Sequence, residues 1–141
     1  MPVHVSNQTI IKNSFLEVIL FKEESAIVVN TLKSYIPKDV FKDTFTSLEP
    51  HITGNQVNKL IFDKSALSVF DQEAMEWYHV HWKENMFAKG LKHHRKILPD
   101  SDFFKNSVKA GRKKIASKYP SFSFDKLDIQ YRNSVAEALA D

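Results

Sequence analysis

The chain has 141 residues, of which 43% are hydrophobic and 26% are charged, and it contains no cysteine. This length and composition suit one globular domain with a packed core, and they exclude a disordered, collagen-like or disulfide-stapled protein. The absence of cysteine also excludes thiolate zinc sites and a cysteine nucleophile. The formal net charge is +3, and the basic excess comes mainly from residues 89–118. This segment is either a solvated helix face or a patch that attracts phosphate or an acidic partner.

The first segment, Met1 to Asn13, has no basic stretch followed by an apolar run, so we expect no signal peptide. No stretch approaches the ~20 apolar residues that cross a bilayer, so we expect no membrane insertion. Because nothing in the sequence indicates an oxidising compartment, we expect a cytoplasmic protein.

Two runs rich in β-branched and aromatic residues, 15–21 and 26–32, flank a short polar segment and predict a β-hairpin. Pro37 suits the first turn of the helix that follows. Spacings of three and four residues predict the core face of this helix, formed by Phe41, Phe45, Leu48 and Ile52. Pro50 is expected to end or kink the helix near Glu49.

Residues 58–63 predict the next strand, since a short apolar run without clean alternation is typical of a central strand covered on both faces. Asp71 is expected to cap a helix over residues 72–88, which Gly90 terminates. The apolar stripe of this helix contains Met75, Trp77, Tyr78, Val80, Trp82 and Met86.

Residues 94–98 predict another strand, and a turn with a capping residue then opens a helix over residues 101–118. The core face of that helix takes Phe104, Val108 and Ile115. Residues 127–131 alternate as a half-buried strand does, and residues 134–140 predict a short helix. The order β-β-α-β-α-β-α-β-α predicts one α/β domain over residues 1–141, with a mixed, mostly parallel sheet flanked by helices.

The segment Leu60-Ile-Phe-Asp-Lys-Ser-Ala-Leu-Ser-Val-Phe-Asp71, together with this order, resembles the STAS domain of anti-sigma factor antagonists and sulfate transporters. In that family a strand ends in Asp, a loop begins with a small polar residue, and a second Asp opens the next helix. Asp63 and Asp71 match those two positions. The Glu-Ala-Leu run within residues 129–140 also resembles the family's last strand and helix. The resemblance implies a SpoIIAA-like fold over residues 15–140.

One departure limits what the resemblance implies. Regulated members carry a phosphorylated Ser or Thr directly after the second Asp, whereas this chain has Gln72, which cannot accept a phosphoryl group. The chain therefore more closely resembles divergent bacterial members of undefined function, including lipid-carrier relatives that lack that serine. The resemblance implies a non-enzymatic interaction or regulatory module without the phosphorylation switch.

The loop after the strand at residues 58–63 is the first candidate binding surface, because ligands of open α/β sheets bind outside the carboxyl ends of the strands. We expect a protein partner, or a second copy of the chain, to contact this loop and the following helix. The candidate residues are Asp63, Ser65, Asp71, Gln72 and Trp82. The structural alternative is that Asp63 holds the loop through backbone amides and that Asp71 only caps the helix.

A second function class is a carrier of a small apolar or lipid-like molecule, in which Trp82, Met86 and nearby phenylalanines line a cavity instead of filling the core. An enzyme is the third option. It would need a cleft with polar groups of perturbed pKa, such as His79 or His93 beside an Asp. No catalytic motif or phosphate-binding loop is present, so we expect no enzyme activity and no cofactor.

The histidine pairs lack the spacing of metal ligands. His79 and His81 lie two apart on a predicted helix and point in divergent directions, and the adjacent His93 and His94 face opposite sides of a strand. We therefore expect no metal site. We expect no nucleic-acid binding either, because the sequence has neither a stacking platform nor a reading motif.

Overall fold

The computed structural model describes residues 7–141, so the first six residues of the segment in which no signal peptide is expected lie outside the described part. Six strands form one sheet, and they lie in it in sequence order. The strands are β1 Asn7–Lys12, β2 Leu16–Phe21, β3 Ala26–Thr31, β4 Lys59–Asp63, β5 His93–Ile97 and β6 Ile129–Tyr131. The first three pair antiparallel, and β3 to β6 pair parallel. The predicted α/β class with a mixed sheet is therefore confirmed.

Helices connect the parallel strands, and one more helix follows the last strand. They are α1 Lys38–Gly54, α2 Gln72–Trp77, a π-helix Tyr78–Lys83, α3 Glu84–Ala88, α4 Asp102–Lys118, a 3₁₀ turn Asp125–Leu127 and α5 Val135–Ala140. The segments α2, the π-helix and α3 form one continuous helix, whose middle part has the wider turn of a π-helix. Within residues 7–141, no helix combines the length and apolar character that a membrane crossing requires.

The two faces of the sheet carry different cores. Since the strand order runs in one direction from β3 to β6, the helices that join these strands cover the same face. Leu60 and Phe62 of β4 point to this face and pack with residues of α1 to α4. Ile61 points to the other face, where Ala138 of α5 covers a smaller core. Side chains of β5 that pair with Leu60 and Phe62 therefore enter the larger core.

One strand, β1, is absent from the sequence-based prediction. It is an edge strand with mostly exposed residues, and the register shifts between Thr9 and Ile11. Its two partly buried apolar residues, Ile10 and Ile11, are adjacent instead of alternating. A bulge of this kind removes the two-residue period by which a strand is recognised.

Of the two effects expected at Pro50, an end or a kink of α1 near Glu49, the end is wrong, because the helix continues through Pro50 to Gly54. Ile52, in the turn after the proline, is buried in the larger core. A proline removes one helical hydrogen bond, and burial of an apolar side chain offsets a cost of this size. Packing therefore decides where this helix ends.

Candidate functional site

Three lysines with fully buried side chains lie between the sheet and its helices. Lys64, Lys83 and Lys96, which we call the lysine cluster, are 0%, 0% and 1% exposed. Lys64 directly follows β4, Lys83 ends the π-helix and Lys96 belongs to β5. Lysine is almost never fully buried unless it is paired with an acid, so the cluster is the least expected feature of the core.

Local structure accounts for the direction of each side chain. Lys96 pairs with Phe62 of the neighbouring strand, so it shares the face that the helices cover. His79 and Lys83 are both buried on the π-helix, next to the buried Tyr78 and Trp82. The wider π turn thus buries two adjacent pairs of residues. Single π turns inside α-helices are frequent at functional sites.

Among the residues that the structure describes, no acid neutralises the lysine cluster. Among residues 7–141, Nζ of Lys64 and Nζ of Lys83 have no hydrogen-bond partner. Within the same range, none of the three lysines forms an ion pair with a carboxylate. The hydrogen bond of Lys96 goes to another basic group, since its Nζ lies 3.5 Å from Nε2 of His79.

Aromatic rings surround two of the amines. Lys64 Nζ lies 4.9 Å from the ring centroid of Phe62 and 4.4 Å from that of Phe70, and Lys83 Nζ lies 4.5 Å from that of Tyr78. A cation–π contact contributes about 0.5–2 kcal/mol. Burying an ion costs several kcal/mol, so these contacts do not compensate a charged amine in this place.

The pKa values of the cluster follow from this environment. Burial lowers the pKa of all three lysines well below the usual value, and their positive charges lower one another's pKa further. Arg112 of α4 adds to the effect on each of them. Burial and the same cations also lower the pKa of His79. Because an arginine keeps its proton in proteins, the amines and the imidazole are the groups that give up charge.

A groove of about 470 Å³ opens beside the cluster, between α4 and the carboxyl ends of β5 and β6. Of its described lining residues, four are basic and none is acidic. The lining residues are Leu98, Lys105, Val108, Lys109, Arg112, Tyr131, Arg132 and Asn133. We call this feature the basic groove. The basic segment 89–118 therefore gathers part of its charge on one face of α4.

The basic side chains of the groove are not equivalent. Arg132 Nη2 lies 2.8 Å from Oδ2 of Asp141, so this guanidinium is already paired. In the part of the chain that the structure describes, Lys105 and Lys109 form no ion pair. These two lysines are one helical turn apart and exposed. They are the cations of the groove that remain available to a ligand.

Arg112 connects the basic groove with the lysine cluster. It lines the groove, and its charge lowers the pKa of all three cluster lysines. Its guanidinium carbon lies 4.4 Å from the ring centroid of Phe124. Its Nε is buried and, within residues 7–141, has no hydrogen-bond partner. The side chain of Arg112 therefore lines the groove and also carries a charge that acts on the lysine cluster.

Four of the residues predicted as a binding surface lie together on the loop after β4. Asp63 Oδ1 accepts hydrogen bonds from the backbone N–H and the hydroxyl of Ser65, at 3.0 and 2.6 Å. Asp71 Oδ1 accepts one from the N–H of Ala74 at 2.9 Å, and its Oδ2 accepts one from the Tyr35 hydroxyl at 3.1 Å. Asp63 thus holds its loop and Asp71 caps α2.

The last two of the five predicted residues, Gln72 and Trp82, lie apart from each other. Gln72 is exposed at the start of α2. Trp82 is only 2% exposed, and its indole N–H donates to the carbonyl oxygen of Phe45 at 2.8 Å. Trp82 and Met86 both pack within the larger core, so in this structure neither side chain reaches a partner at the surface.

The histidines are separated as the spacing predicts. His79 is buried whereas His81 is exposed, and His94 enters the core whereas Nδ1 of His93 lies 2.6 Å from Oδ2 of Asp128. Burial would raise the pKa of Asp128, but hydrogen bonds from His93 and other donors lower it to about 2. Within residues 7–141, no group of three or more His, Asp or Glu side chains has an arrangement that would hold a metal ion.

The lysine cluster and Arg112 were not predicted from the sequence. The one available signal is the spacing of His79 and Lys83, four residues apart and each directly after a residue of the apolar stripe. Lys96 sits in a strand whose other inner-facing residue is His94, so the strand has no apolar alternation that would reveal its buried face.

Comparisons with known proteins add no assignment. The chain matches no family model, no curated protein and no solved structure. The resemblance to the STAS domain therefore stays a prediction.

Proposed function

We propose that this protein binds a small anionic ligand, one that carries a phosphate or carboxylate group, in the basic groove. The lysine cluster forms the inner end of the site. The observation that carries this proposal is the burial of three lysine amines among residues 7–141 without a carboxylate partner. A bound anion would supply the missing negative charge.

The free energy of burying these amines differs between the protein without a ligand and the protein with a bound anion. A folded protein gains little from a buried amine that has no partner, because removing the charge from water costs several kcal/mol. Proteins keep such destabilising residues where they are needed for binding or catalysis, because functional sites trade stability for activity. An anion that enters the site makes charge-assisted hydrogen bonds with the same amines.

The place and size of the groove also support a ligand site. Ligands of open α/β sheets bind outside the carboxyl ends of the strands, which is where the groove lies. Its volume of about 470 Å³ falls within the ~300–1,000 Å³ of small-molecule pockets. Leu98, Val108 and Tyr131 give it apolar surface beside the cations. The ligand is therefore expected to have an apolar part as well as an anionic group.

Thermal unfolding and calorimetry with two probes, inorganic pyrophosphate and citrate, test the proposal. We expect at least one of them to raise the Tm of the wild-type protein above its value in sodium chloride of equal ionic strength. The double variant Lys105→Ala/Lys109→Ala should bind that probe at least about tenfold more weakly, since each hydrogen bond to a charged group contributes about 1.5–3 kcal/mol. Lys113→Ala/Lys114→Ala removes the same charge from other positions of α4 and is the matched control.

Two outcomes contradict the anion site. One is a wild-type protein whose Tm responds to neither probe beyond the effect of ionic strength. The other is an equal loss of affinity in the groove variant and in the control variant, because that result would indicate only long-range attraction to a basic helix.

A STAS-like architecture is part of the proposal. It is supported by the sequential order of β2 to β6, by Asp63 at the end of β4 and by Asp71 at the N-cap of α2. Gln72, directly after the cap, has no hydroxyl to phosphorylate. The proposal therefore contains ligand binding but no phosphorylation switch at this position.

A second candidate function is a protein–protein contact at the loop after β4, as the sequence-based prediction has it. It is supported by an exposed apolar patch of Leu32, Tyr35 and Val69, which are 41%, 42% and 36% exposed. The loops that carry these residues are tied together, because the N–H of Ser68 donates to the carbonyl oxygen of Ser34 at 2.8 Å. We propose that the patch is a contact between two copies of the chain.

Sedimentation velocity over a range of protein concentrations tests this second candidate. We expect a dimer whose dissociation constant rises at least about tenfold in Leu32→Glu/Val69→Glu, because the variant places two charges in an apolar contact. Phe103→Glu, at another exposed apolar residue, is the control. A monomer at every concentration would exclude the dimer.

A further inference from the structure

We propose that Lys96 is a nucleophilic amine that forms a reversible imine with an aldehyde or ketone group of the anionic ligand. This inference rests on the proposed anion site and names its substrate class, small anionic carbonyl compounds. It assigns to one buried lysine a chemical step, where the proposed function needs only its charge.

Every charged or titratable group that the structure places against Lys96 is basic. Lys64 faces it from the loop after β4, His79 and Lys83 from the π-helix, and Arg112 from α4. His94 lies two residues away on the same face of β5. Cationic neighbours in a desolvated place keep a lysine amine neutral, and a neutral amine is the form that attacks a carbonyl carbon.

Lys59 shows what a structural buried lysine looks like in the same protein. It is 7% exposed, and its Nζ donates to the carbonyl oxygens of Ala138 and Asp141, at 3.0 and 2.7 Å. Burial lowers the pKa of Lys59 as well, but its amine has two oxygen acceptors and the carboxylate of Asp141 opposes the shift. Lys96 has no such oxygen acceptor among residues 7–141, and its one hydrogen-bond partner is the imidazole of His79.

The step balances without an oxidant or reductant. The lone pair on Lys96 Nζ forms a bond to the carbonyl carbon, and the electron pair of the C=O double bond moves to the oxygen. Nε2 of His79, 3.5 Å from Nζ, accepts one proton from the nitrogen and passes it to this oxygen, which becomes a hydroxyl. It then transfers the second nitrogen proton to the hydroxyl, which leaves as water while the nitrogen lone pair forms the C=N bond. The products are an imine and one water molecule. The surrounding cations stabilise the oxygen while it carries negative charge.

The ligand would approach from the basic groove. Arg112 separates the groove from the cluster, and its side chain rests on the ring of Phe124. In the proposed complex the anionic group pairs with Arg112 and Lys109, and the carbonyl carbon points inward to Lys96. Displacement of the Arg112 side chain from Phe124 opens the path.

Reductive trapping tests the inference. The wild-type protein is incubated at pH 7 with glyoxylate, a small anionic aldehyde, and cyanoborohydride, and the modified lysines are then identified by peptide mass spectrometry. An exposed lysine with an ordinary pKa is neutral in roughly one molecule in 2,500 at this pH. We expect Lys96 to be modified at least about tenfold faster than the exposed Lys113, since each unit by which a pKa is lowered raises the neutral fraction about tenfold.

This readout separates a reactive lysine from one that is merely buried, because simple burial would make Lys96 the slowest lysine to react. The preference for Lys96 should shrink as the pH approaches 10 and exposed amines lose their protons. Lys96→Arg should abolish the fast modification. If that variant does not fold, the site mapping in the wild-type protein still decides the question.

Each other outcome has a definite reading. If pyrophosphate or citrate binds in the groove but glyoxylate does not modify Lys96 preferentially, the nucleophile is refuted and the anion site stands. Preferential modification of Lys64 or Lys83 overturns the assignment to Lys96. If neither anion binds and Lys96 is not modified, both proposals fail.

Discussion

Nζ of Lys96 and Nε2 of His79 lie 3.5 Å apart and join β5 to the π-helix inside the core. Burial lowers the pKa of both groups, and each is further lowered by the cations around it. Two positive charges at this separation repel each other strongly in a medium of low dielectric constant. The pair is therefore stable only when at least one of the two groups is neutral.

Removing one amine from the cluster should stabilise the protein. Lys83→Met keeps most of the side-chain volume and removes an unpaired buried amine, so we expect the free energy of unfolding at pH 7 to rise by about 1–4 kcal/mol. Urea denaturation followed by circular dichroism measures the change. The same variant should bind pyrophosphate or citrate more weakly, because it lacks one amine of the proposed anion site. Gains in stability at binding sites commonly come with such a loss of function.

Lys59→Met is the matched control for Lys83→Met. It also replaces a buried lysine, but it leaves the carbonyl oxygens of Ala138 and Asp141 without their donor. We expect it to lower the free energy of unfolding by about 1–3 kcal/mol. A similar loss in Lys83→Met would show that the cluster is held by interactions that stabilise it.

Stability should rise with pH from the lowered folded-state pKa of the cluster lysines up to the ordinary pKa of lysine. Each cluster lysine has a folded-state pKa below its unfolded value, which is about 10.4. Between the two values the unfolded chain binds more protons than the folded protein. The free energy of unfolding therefore increases with pH, by up to about 1.4 kcal/mol per pH unit for each lysine that is neutral when folded.

Urea denaturation at several pH values measures this slope. Lys83→Met should reduce it, whereas Lys113→Met, at an exposed position of α4, should leave it unchanged. A flat or falling profile in the wild-type protein would mean that the cluster amines keep their protons in the folded state.

The N-cap of α2 should be worth a measurable part of the stability. Asp71→Ala removes the acceptor for the N–H of Ala74 and should lower the free energy of unfolding by about 0.5–2 kcal/mol. Asp71→Asn keeps a capping oxygen and should retain most of the stability. If both substitutions are neutral, the contacts of Asp71 do not hold the loop after β4.

Pro50 should be a weak point of α1. It lies inside the helix, where it lacks the N–H that would donate to the carbonyl oxygen of Thr46. Pro50→Ala is expected to raise the free energy of unfolding by about 1–3 kcal/mol. Ser47→Ala, at an exposed position of the same helix, should change it by less than about 0.5 kcal/mol. An unchanged stability in Pro50→Ala would indicate that the helix is already relaxed around the proline.

Much of the fold is predictable because it depends on local patterns. The hairpin of β2 and β3 follows from two β-branched runs around a polar turn, and the core face of α1 follows from its spacing. The caps at Asp71 and Ser101 follow from the preference of short polar side chains for helix starts. The edge strand β1 escaped prediction because its bulge breaks the alternation.

The candidate site is less predictable, since it depends on which helix face meets which strand. Four predicted surface residues do lie together after β4, because they are close in sequence. Trp82 was expected at the same surface, but packing with Phe45 buries it. The residues that converge on the basic groove come from α4, from the loop after β5 and from the end of β6 with the loop after it, and no single stretch of sequence contains them.

The amino-acid sequence by itself determined the α/β class and the order of the elements from β2 to α5, because periodicity, caps and turns act over a few residues. Only the tertiary structure decided that Lys64, Lys83 and Lys96 meet in the core and that Arg112, whose charge acts on all three, lines a groove. The physical reason is that a lysine is polar in any local pattern. Its burial, its pKa and its chemistry depend on the side chains that other segments bring around it.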